Sequence, residues 1–404
     1  MYRQTYLEVD CSKLRNNIVD IRNNYNDYEY YFGVVKSNAY GHGNFIIDDL
    51  INGGINYLAV ACLDEAIKLR EYNKDIPILV LEPIRIEFID VCIDNNITIT
   101  VSSLDYFEAL CSVKLPGILK FHLKIDSGMS RLGFYSKKDI ETVFSKLLNP
   151  TTKKYDYYKN LFLEGIYTHF ATSGIHDKHW DNQLEKFKSM TSDIDLSQIP
   201  IVHSGGSLTL VTHKKIPFCN GIRLGIIMYG IDLKSKNNYT GVRGKLRKLK
   251  YQYLDKKQNI SATTTTNNLA IVPAATLYSE IMEIRYINQN DFVGYGALFI
   301  ASEKTKIATL PIGYADGIPR NLKHVSINGK KYNIVGHICM DMIMVTVDDS
   351  VKIHDKVIIW GGDLLPIKTV SKETGISSYS LFTGISSRVP RVYIRDNNRE
   401  EISY

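Results

Sequence analysis

The chain has 404 residues, of which 44% are hydrophobic, enough to bury a large core and to build about two or three domains. No apolar run approaches a bilayer-spanning length and the start, Met1 to Asp10, has no apolar signal core, so neither a membrane span nor a leader is expected. The net charge of +6 is local: residues 234–257 hold nine basic side chains against Asp255 alone, a net of +8, so the remainder nets −2 and a nucleic-acid surface is not expected.

In chain order, the first feature is a β-rich run, Tyr31-Phe32-Gly33-Val34-Val35, that ends at Lys36. A lysine after such a run sits at the mouth of a core, where its amine can become nucleophilic or condense with an aldehyde cofactor. Tyr40 follows, and the glycines beside it are expected to let backbone approach a ligand. Taken alone, the run reads better as a snorkelling lysine at a strand end.

Strands are predicted near 30–36, 57–62, 77–82, 97–102, 119–126, 161–170, 200–204 and 221–228, with helices such as 64–72, 104–112 and 138–148 between them. Eight strands with intervening helices predict an α/β fold, a (β/α)₈ TIM-like barrel over residues 10–233, rather than an open doubly wound sheet. Residues 234–270, basic and then rich in Ser, Thr and Asn, read as an insertion or linker with a solvated surface. After Pro273, short alternating runs separated by Gly, Asn and Asp turns predict a β-rich domain over 271–404, which residues 1–9 could join as a strand. The six cysteines are scattered, with no CxxC pair and no metal-ligand spacing, so free thiols in a reducing cytoplasm and no metal site are expected.

A barrel places functional residues at the C-terminal ends of its strands, with phosphate held by the loops after the last two. Lys36 ends the first predicted strand, Lys124, Asp126 and Arg131 lie at and beyond the end of the fifth, and His169 ends the sixth. His203-Ser204-Gly205-Gly206-Ser207 follows the seventh, a small-residue stretch able to wrap an anion, and Arg223 and Gly225 lie in the eighth. Any one of these is weak evidence, but together they put ionisable side chains at one rim.

With these runs in view the chain resembles the alanine racemase family, pyridoxal 5′-phosphate enzymes of fold type III. The resemblance covers nearly the whole chain. It is carried by Val34 to Gly43, Lys124 to Gly133, Tyr167 to Ala171, Arg223-Leu224-Gly225-Ile226, Gly294-Tyr295-Gly296-Ala297, Pro311 to Gly317, Ile338-Cys339-Met340-Asp341 and Arg388 to Tyr393. It implies that Lys36 holds the cofactor as a Schiff base and is one catalytic base. Tyr40, Ser207 and the backbone of Gly225 and Ile226 would bind the phosphate, Arg223 would face the pyridine nitrogen, and His169 would orient Arg223. The second base would be Tyr295, delivered across a homodimer interface. Arg131 would steer the substrate carboxylate, Lys124 matches a lysine often carbamylated, and Tyr314, Met340 and Asp341 match the substrate pocket and its entrance. The implied reaction converts L-alanine to D-alanine for cell-wall synthesis.

Two positions depart from the family. Gly206 stands where Asn usually precedes the phosphate-binding serine, and Ser387 stands before Arg-Val-Pro-Arg, where a tyrosine ring commonly touches the phosphate. If no other side chain compensates, Ser387 predicts a roomier site, hence a serine or broad-specificity racemase. The amino-acid decarboxylase branch shares the overall plan, but the runs at Tyr295 and at Met340-Asp341 favour a racemase. A non-enzymatic pyridoxal-phosphate carrier would need neither Tyr295 nor a β-domain, and a cofactor-free binding protein is a further alternative.

Overall fold

A computed structural model describes residues 2–174, 178–231, 233, 269–396 and 398–402, so the insertion expected at 234–270 lies, as far as residue 268, outside the described residues. The first strand, β1 (Tyr6–Asp10), hands directly over to a helix, Cys11–Asn24, because the Asp10 carboxylate accepts the Lys13 N–H at 3.0 Å and caps it. Eight strands then form a closed parallel barrel: β2 (Tyr30–Val34), β3 (Tyr57–Val60), β4 (Ile78–Val80), β5 (Ile97–Val101), β6 (Leu119–Lys124), β7 (Leu161–Tyr167), β8 (Ile201–His203) and β9 (Gly221–Leu224). Pairing of β2 with β9 completes the ring. Both β3 and β5 are buried at every residue, and β3 reads as the continuous apolar run that packing on both faces favours. The helices Leu63–Tyr72, Leu104–Ser112 and Lys137–Leu147 occupy the predicted intervals, and Ser103 and Ser136 cap the second and third. The TIM-like barrel with a β-rich C-terminal domain is therefore the observed fold.

One half of the barrel interior is polar rather than aliphatic. His122, His203, Thr98 and Thr100 are buried there with Tyr57 and Tyr167, and His203 stacks between Phe32 and Tyr167 at 4.5 and 4.6 Å. Such an interior folds only if its polar atoms find partners.

The β-domain contains β10 (Ala275–Glu280), β11 (Glu283–Ile287), β12 (Phe292–Val293), β13 (Phe299–Ile300), β14 (Thr305–Leu310), β15 (His324–Ile327), β16 (Lys330–Val335), β17 (Ile343–Thr346), β18 (Lys356–Trp360), β19 (Arg391–Arg395) and β20 (Asn398–Ile402). Its large sheet runs β11-β14-β17-β16-β15-β18-β10-β1-β19-β20. The first of the short runs after Pro273 is two strands, β10 and β11: at Ile281 the chain bonds to the 354–355 turn, and at Met282 it bonds to Thr309, so it leaves β18 for β14. Asn328 and Gly329, both at positive φ, make the two-residue turn between β15 and β16. β1 lies between β10 and β19, so the N-terminus is built into the C-terminal domain.

Candidate active site

The turn after β2 carries Lys36 and is left-handed. Ser37, Asn38, Ala39 and Tyr40 have φ of 54°, 53°, 51° and 52°, and Gly41 follows at 80°. For L-residues this costs about 1–2 kcal/mol each. Packing and hydrogen bonds offset it: Ala39 and Tyr40 are buried, the Ser37 N–H donates to Glu65 Oε1 at 2.7 Å, and the Gly41 N–H donates to Ser37 O at 2.9 Å.

The glycines of this turn serve a different purpose from the one expected. A Cβ at Gly41 would stand 2.1 Å from Phe382 O, and one at Gly43 would stand 2.0 Å from Tyr393 Oη. They admit the β-domain, not a ligand. Arg391, 1% exposed, donates from Nε to Gly41 O at 3.0 Å, and Tyr393 Oη donates to His42 O at 3.0 Å.

Above the C-terminal ends of the strands opens a cavity of about 580 Å³, and nine of the predicted residues line it: Lys36, Tyr40, Lys124, Arg131, His169, Ser207, Arg223, Gly225 and Ile226. One corner is made by Tyr40, Ser207 and Gly225. A Cβ at Gly225 would fall 2.9 Å from Tyr40 Oη and 3.6 Å from Ser207 Oγ, so the corner depends on glycine. Ser207 Oγ accepts the Gly225 N–H at 2.8 Å, which leaves its own O–H to donate into the cavity. Burial, and then the neighbouring Tyr379 phenol, push Tyr40 above the usual phenol range, so it too stays protonated. Two hydroxyl donors beside an open backbone suit an anionic group. Gly206 has room for a side chain, its Cβ meeting only Arg223 O at 3.5 Å and His169 Cε1 at 3.8 Å.

Arg223 lies deeper, 5% exposed. Its guanidinium donates to Thr168 O at 2.8 Å, to His203 Nδ1 at 2.7 Å and to His169 Nδ1 at 3.1 Å. Burial lowers it to about 10, which leaves it charged at neutral pH. Burial, reinforced by the charge of Arg223 and by Lys124, Arg131 and Lys36, lowers His169 to about 3, so its imidazole is neutral and its Nδ1 is free to accept. Lys124 and Arg223 share the ring of Tyr167, with Nζ 5.0 Å and Cζ 5.2 Å from its centroid. Burial, then the charges of Arg223 and Arg131, bring Lys124 down to about 7. Arg131 is projected by a loop that Asp126 ties together: Oδ1 accepts the N–H groups of Gly128, Met129 and Ser130 at 2.9, 2.9 and 3.0 Å.

Four predicted residues lie elsewhere, on the β-domain surface. Tyr295 sits in the β12–β13 turn between Gly294 and Gly296, both at φ 71°, and is 74% exposed. Tyr314, Met340 and Asp341 come from two loops joined backbone to backbone, with the Tyr314 N–H on Cys339 O at 3.0 Å and the Ala315 N–H on Met340 O at 3.1 Å. None of the four lines the cavity within this chain.

Among the cavity residues that the sequence did not single out is a tyrosine of the β-domain. Tyr379, from the helix Ser378–Thr383, lines the cavity, its ring centroid 6.1 Å from that of Tyr40. Ser387 is exposed and lies outside the cavity. A tyrosine ring eight residues upstream of Ser387 thus lines the cavity beside Tyr40. The signal available was Tyr379 itself, a tyrosine shortly before the Arg-Val-Pro-Arg run.

Among the described residues no group of three or more His, Cys, Asp or Glu side chains is placed to hold a metal ion, no helix is long and apolar enough to cross a membrane, and the six cysteines are free. Residues 9–232 match the family model for the alanine racemase N-terminal domain, and residues 274–393 match the one for the alanine racemase C-terminal domain. An alanine racemase from Methanococcus maripaludis is 34% identical over 96% of this chain and 98% of its own length. The crystal structure of alanine racemase from Bacillus anthracis with bound L-Ala-P superposes with a TM-score of 0.82 at 30% identity, covering 100% of this chain and 98% of that one. A histidine racemase from Leuconostoc mesenteroides, 24% identical with a TM-score of 0.80 over 98% of this chain and 99% of that one, shares the fold. The chain belongs to the alanine racemase family and is an amino-acid racemase.

Proposed function

We propose that this protein interconverts L- and D-alanine with pyridoxal 5′-phosphate bound in the barrel cavity, as a homodimer whose two active sites each take a residue from both subunits, and that it supplies D-alanine for cell-wall synthesis. The observation that carries the reading is the convergence on one cavity of the Lys36 amine, the hydroxyl corner of Tyr40 and Ser207, and the buried cation of Arg223. These fit the cofactor's three ends: an aldehyde that a lysine can hold, a phosphate, and a ring nitrogen. Bound there, the cofactor supplies an electron sink that acidifies the substrate's α-proton.

Lys36 holds or removes a proton on one face of the substrate's α-carbon. A single base does not reach both faces, so the opposite face needs a second group, Tyr295 of the partner subunit. Exposure supports this assignment: Phe292, Leu298 and Ile300, 64%, 66% and 60% exposed, surround Tyr295 with apolar side chains suited to an interface. Arg223 remains charged and offers only donors, so it gives the ring nitrogen no proton by default and tempers the sink. Arg131 holds the substrate carboxylate at the rim. Lys124, half deprotonated near neutral pH, can add to CO₂, forming an N–C bond and releasing one proton, and the resulting anion would pair with Arg131. Tyr314, Met340 and Asp341 would close the entrance from the partner's side.

Chiral chromatography of purified, cofactor-loaded protein incubated with L-alanine, L-serine, L-lysine and L-histidine tests the reading. D-alanine should form fastest. Faster turnover of another amino acid would replace alanine as the substrate, and absence of α-proton exchange with all four would sink the proposal.

A further inference from the structure

Beneath Arg223 a single line of side chains crosses the barrel interior to β7. Arg223 and His203 Nδ1 are 2.7 Å apart, His203 Nε2 and His122 Nδ1 are 2.9 Å apart, and His122 Nε2 lies 3.2 Å from Glu164 Oε2. Both imidazoles are fully buried. The same Glu164 oxygen accepts from Tyr57 Oη at 2.6 Å and Thr98 Oγ1 at 3.0 Å, and Lys120 Nζ stands 3.5 Å from Oε1.

The two ends fix the direction of every bond between them. A guanidinium has no acceptor, so His203 Nδ1 is a lone pair and the ring's proton is on Nε2. That N–H donates to His122 Nδ1, which must also be bare, so the His122 proton is on Nε2 and points at Glu164. An ionised carboxylate accepts it. Burial works against the Glu164 charge, but the hydrogen bonds from His122 and Tyr57 outweigh it and hold the carboxyl below the usual range. Burial holds both imidazoles neutral, and for His203 the charge of Arg223 adds to it.

We propose that Glu164, His122 and His203 are positioning residues for Arg223: they lock one hydrogen-bond direction across the barrel and hold Arg223 towards the cavity as a cation whose counter-charge stands two imidazoles away. A carboxylate placed directly on Arg223 would occupy its donors in a bidentate pair. With no acceptor at all, the buried guanidinium would be unsatisfied. Neutral His203, with Thr168 O and His169 Nδ1, satisfies it without bringing an anion to the cavity. The functional half of this inference rests on Arg223 facing the cofactor ring, but the hydrogen-bond direction does not.

Nitrogen-15 NMR of histidine-labelled protein, cofactor-free and cofactor-loaded, reads the direction without any variant. His122 and His203 should each show a protonated Nε2 and a bare Nδ1 from pH 6 to 9, and a protonated Nδ1 on either ring would overturn the proposal. Glu164→Ala should mix the tautomers at both rings, shift the pH profile of the bound cofactor's absorbance and lower kcat about tenfold or more with KM little changed. Glu164→Gln, whose amide oxygen still accepts from His122, should restore the tautomers and recover most of kcat. Wild-type tautomers and absorbance profile in a folded Glu164→Ala protein would overturn it. If that variant does not fold, the wild-type spectra and the Gln variant decide. Absence of racemisation in the wild type would count against the proposed function and leave the NMR result intact.

Discussion

The rings of Tyr40 and Tyr379 stand 6.1 Å apart at an interplanar angle of 47°, one from the turn after Lys36 and the other from the β-domain. Tyr379 therefore limits the cavity beside Tyr40, whereas Ser387 is exposed and lies outside it. Tyr379→Ser should widen the cavity beside Tyr40 and lower the preference for L-alanine over L-serine by about tenfold, the scale on which pockets discriminate by size. Ser387→Tyr should leave it unchanged. The ratio of kcat/KM values for the two amino acids is the measurement, and an effect at position 387 with none at 379 would contradict the assignment.

Lys124 makes stability depend on pH. Its folded value of about 7 lies below the ordinary 10.5, through burial and then the charges of Arg223 and Arg131. Below pH 7 the amine is charged whether the chain is folded or not, and the folded state bears the full penalty. From pH 7 towards 10.5 the unfolded chain binds the extra proton, so stability rises with pH. Urea titrations of cofactor-free, CO₂-free protein should show wild type gaining roughly 2 kcal/mol on Lys124→Met between pH 7 and 9. In bicarbonate buffer, intact-mass measurement should show one added CO₂ on wild type and none on Lys124→Met.

Sharing of the active sites can be read from mixed dimers. Lys36→Ala and Tyr295→Phe proteins should each be nearly inactive. Unfolded together and refolded, they should regain activity, because half of the mixed dimers' sites combine an intact Lys36 with an intact Tyr295 of the partner subunit. No recovery beyond the sum of the two parents would place both bases in one chain.

Asp316 is fully buried and holds the Tyr314 turn. Arg3 donates to both of its oxygens at 2.6 Å, Arg388 Nε lies 2.9 Å from Oδ1, and the Gly313 N–H donates to Oδ2 at 2.8 Å. Arg3→Ala should destabilise the protein by about 2 kcal/mol, less than a wholly buried pair because Arg3 is partly exposed. It should also speed amide exchange at residues 313–317. Protection there equal to wild type would show that Arg388 alone suffices.

Glycine positions separate two kinds of strain. Gly329, at φ 76° with nothing within 4 Å of its Cβ position, should tolerate alanine at a cost of about 1 kcal/mol in thermal unfolding. Gly41→Ala, which would drive a Cβ to 2.1 Å from Phe382 O, should prevent stable folding.

The barrel was legible because strands buried on both faces write themselves as unbroken β-rich runs, and because its functional side chains follow those runs directly. What was not legible came from long-range packing. Tyr379 belongs to a helix of the second domain that crosses to the first, a contact no local pattern encodes. Gly41 and Gly43 look like ligand glycines until Phe382 and Tyr393 are seen against them. His122 and Glu164 read as ordinary strand residues, since alternation shows which face a side chain takes but not which partner it meets there.

The left-handed turn from Ser37 to Tyr40 has a consequence for how the molecule can be divided. About 4–8 kcal/mol of backbone cost is held in those four residues. Part of what holds it is the second domain, through Arg391 on Gly41, Tyr393 on His42 and Phe382 against Gly41. A barrel cut free of that domain would let the turn relax to right-handed backbone and carry the Lys36 amine away from the cavity. The boundary between the domains is a boundary of chain order only; for catalysis the molecule cannot be cut there.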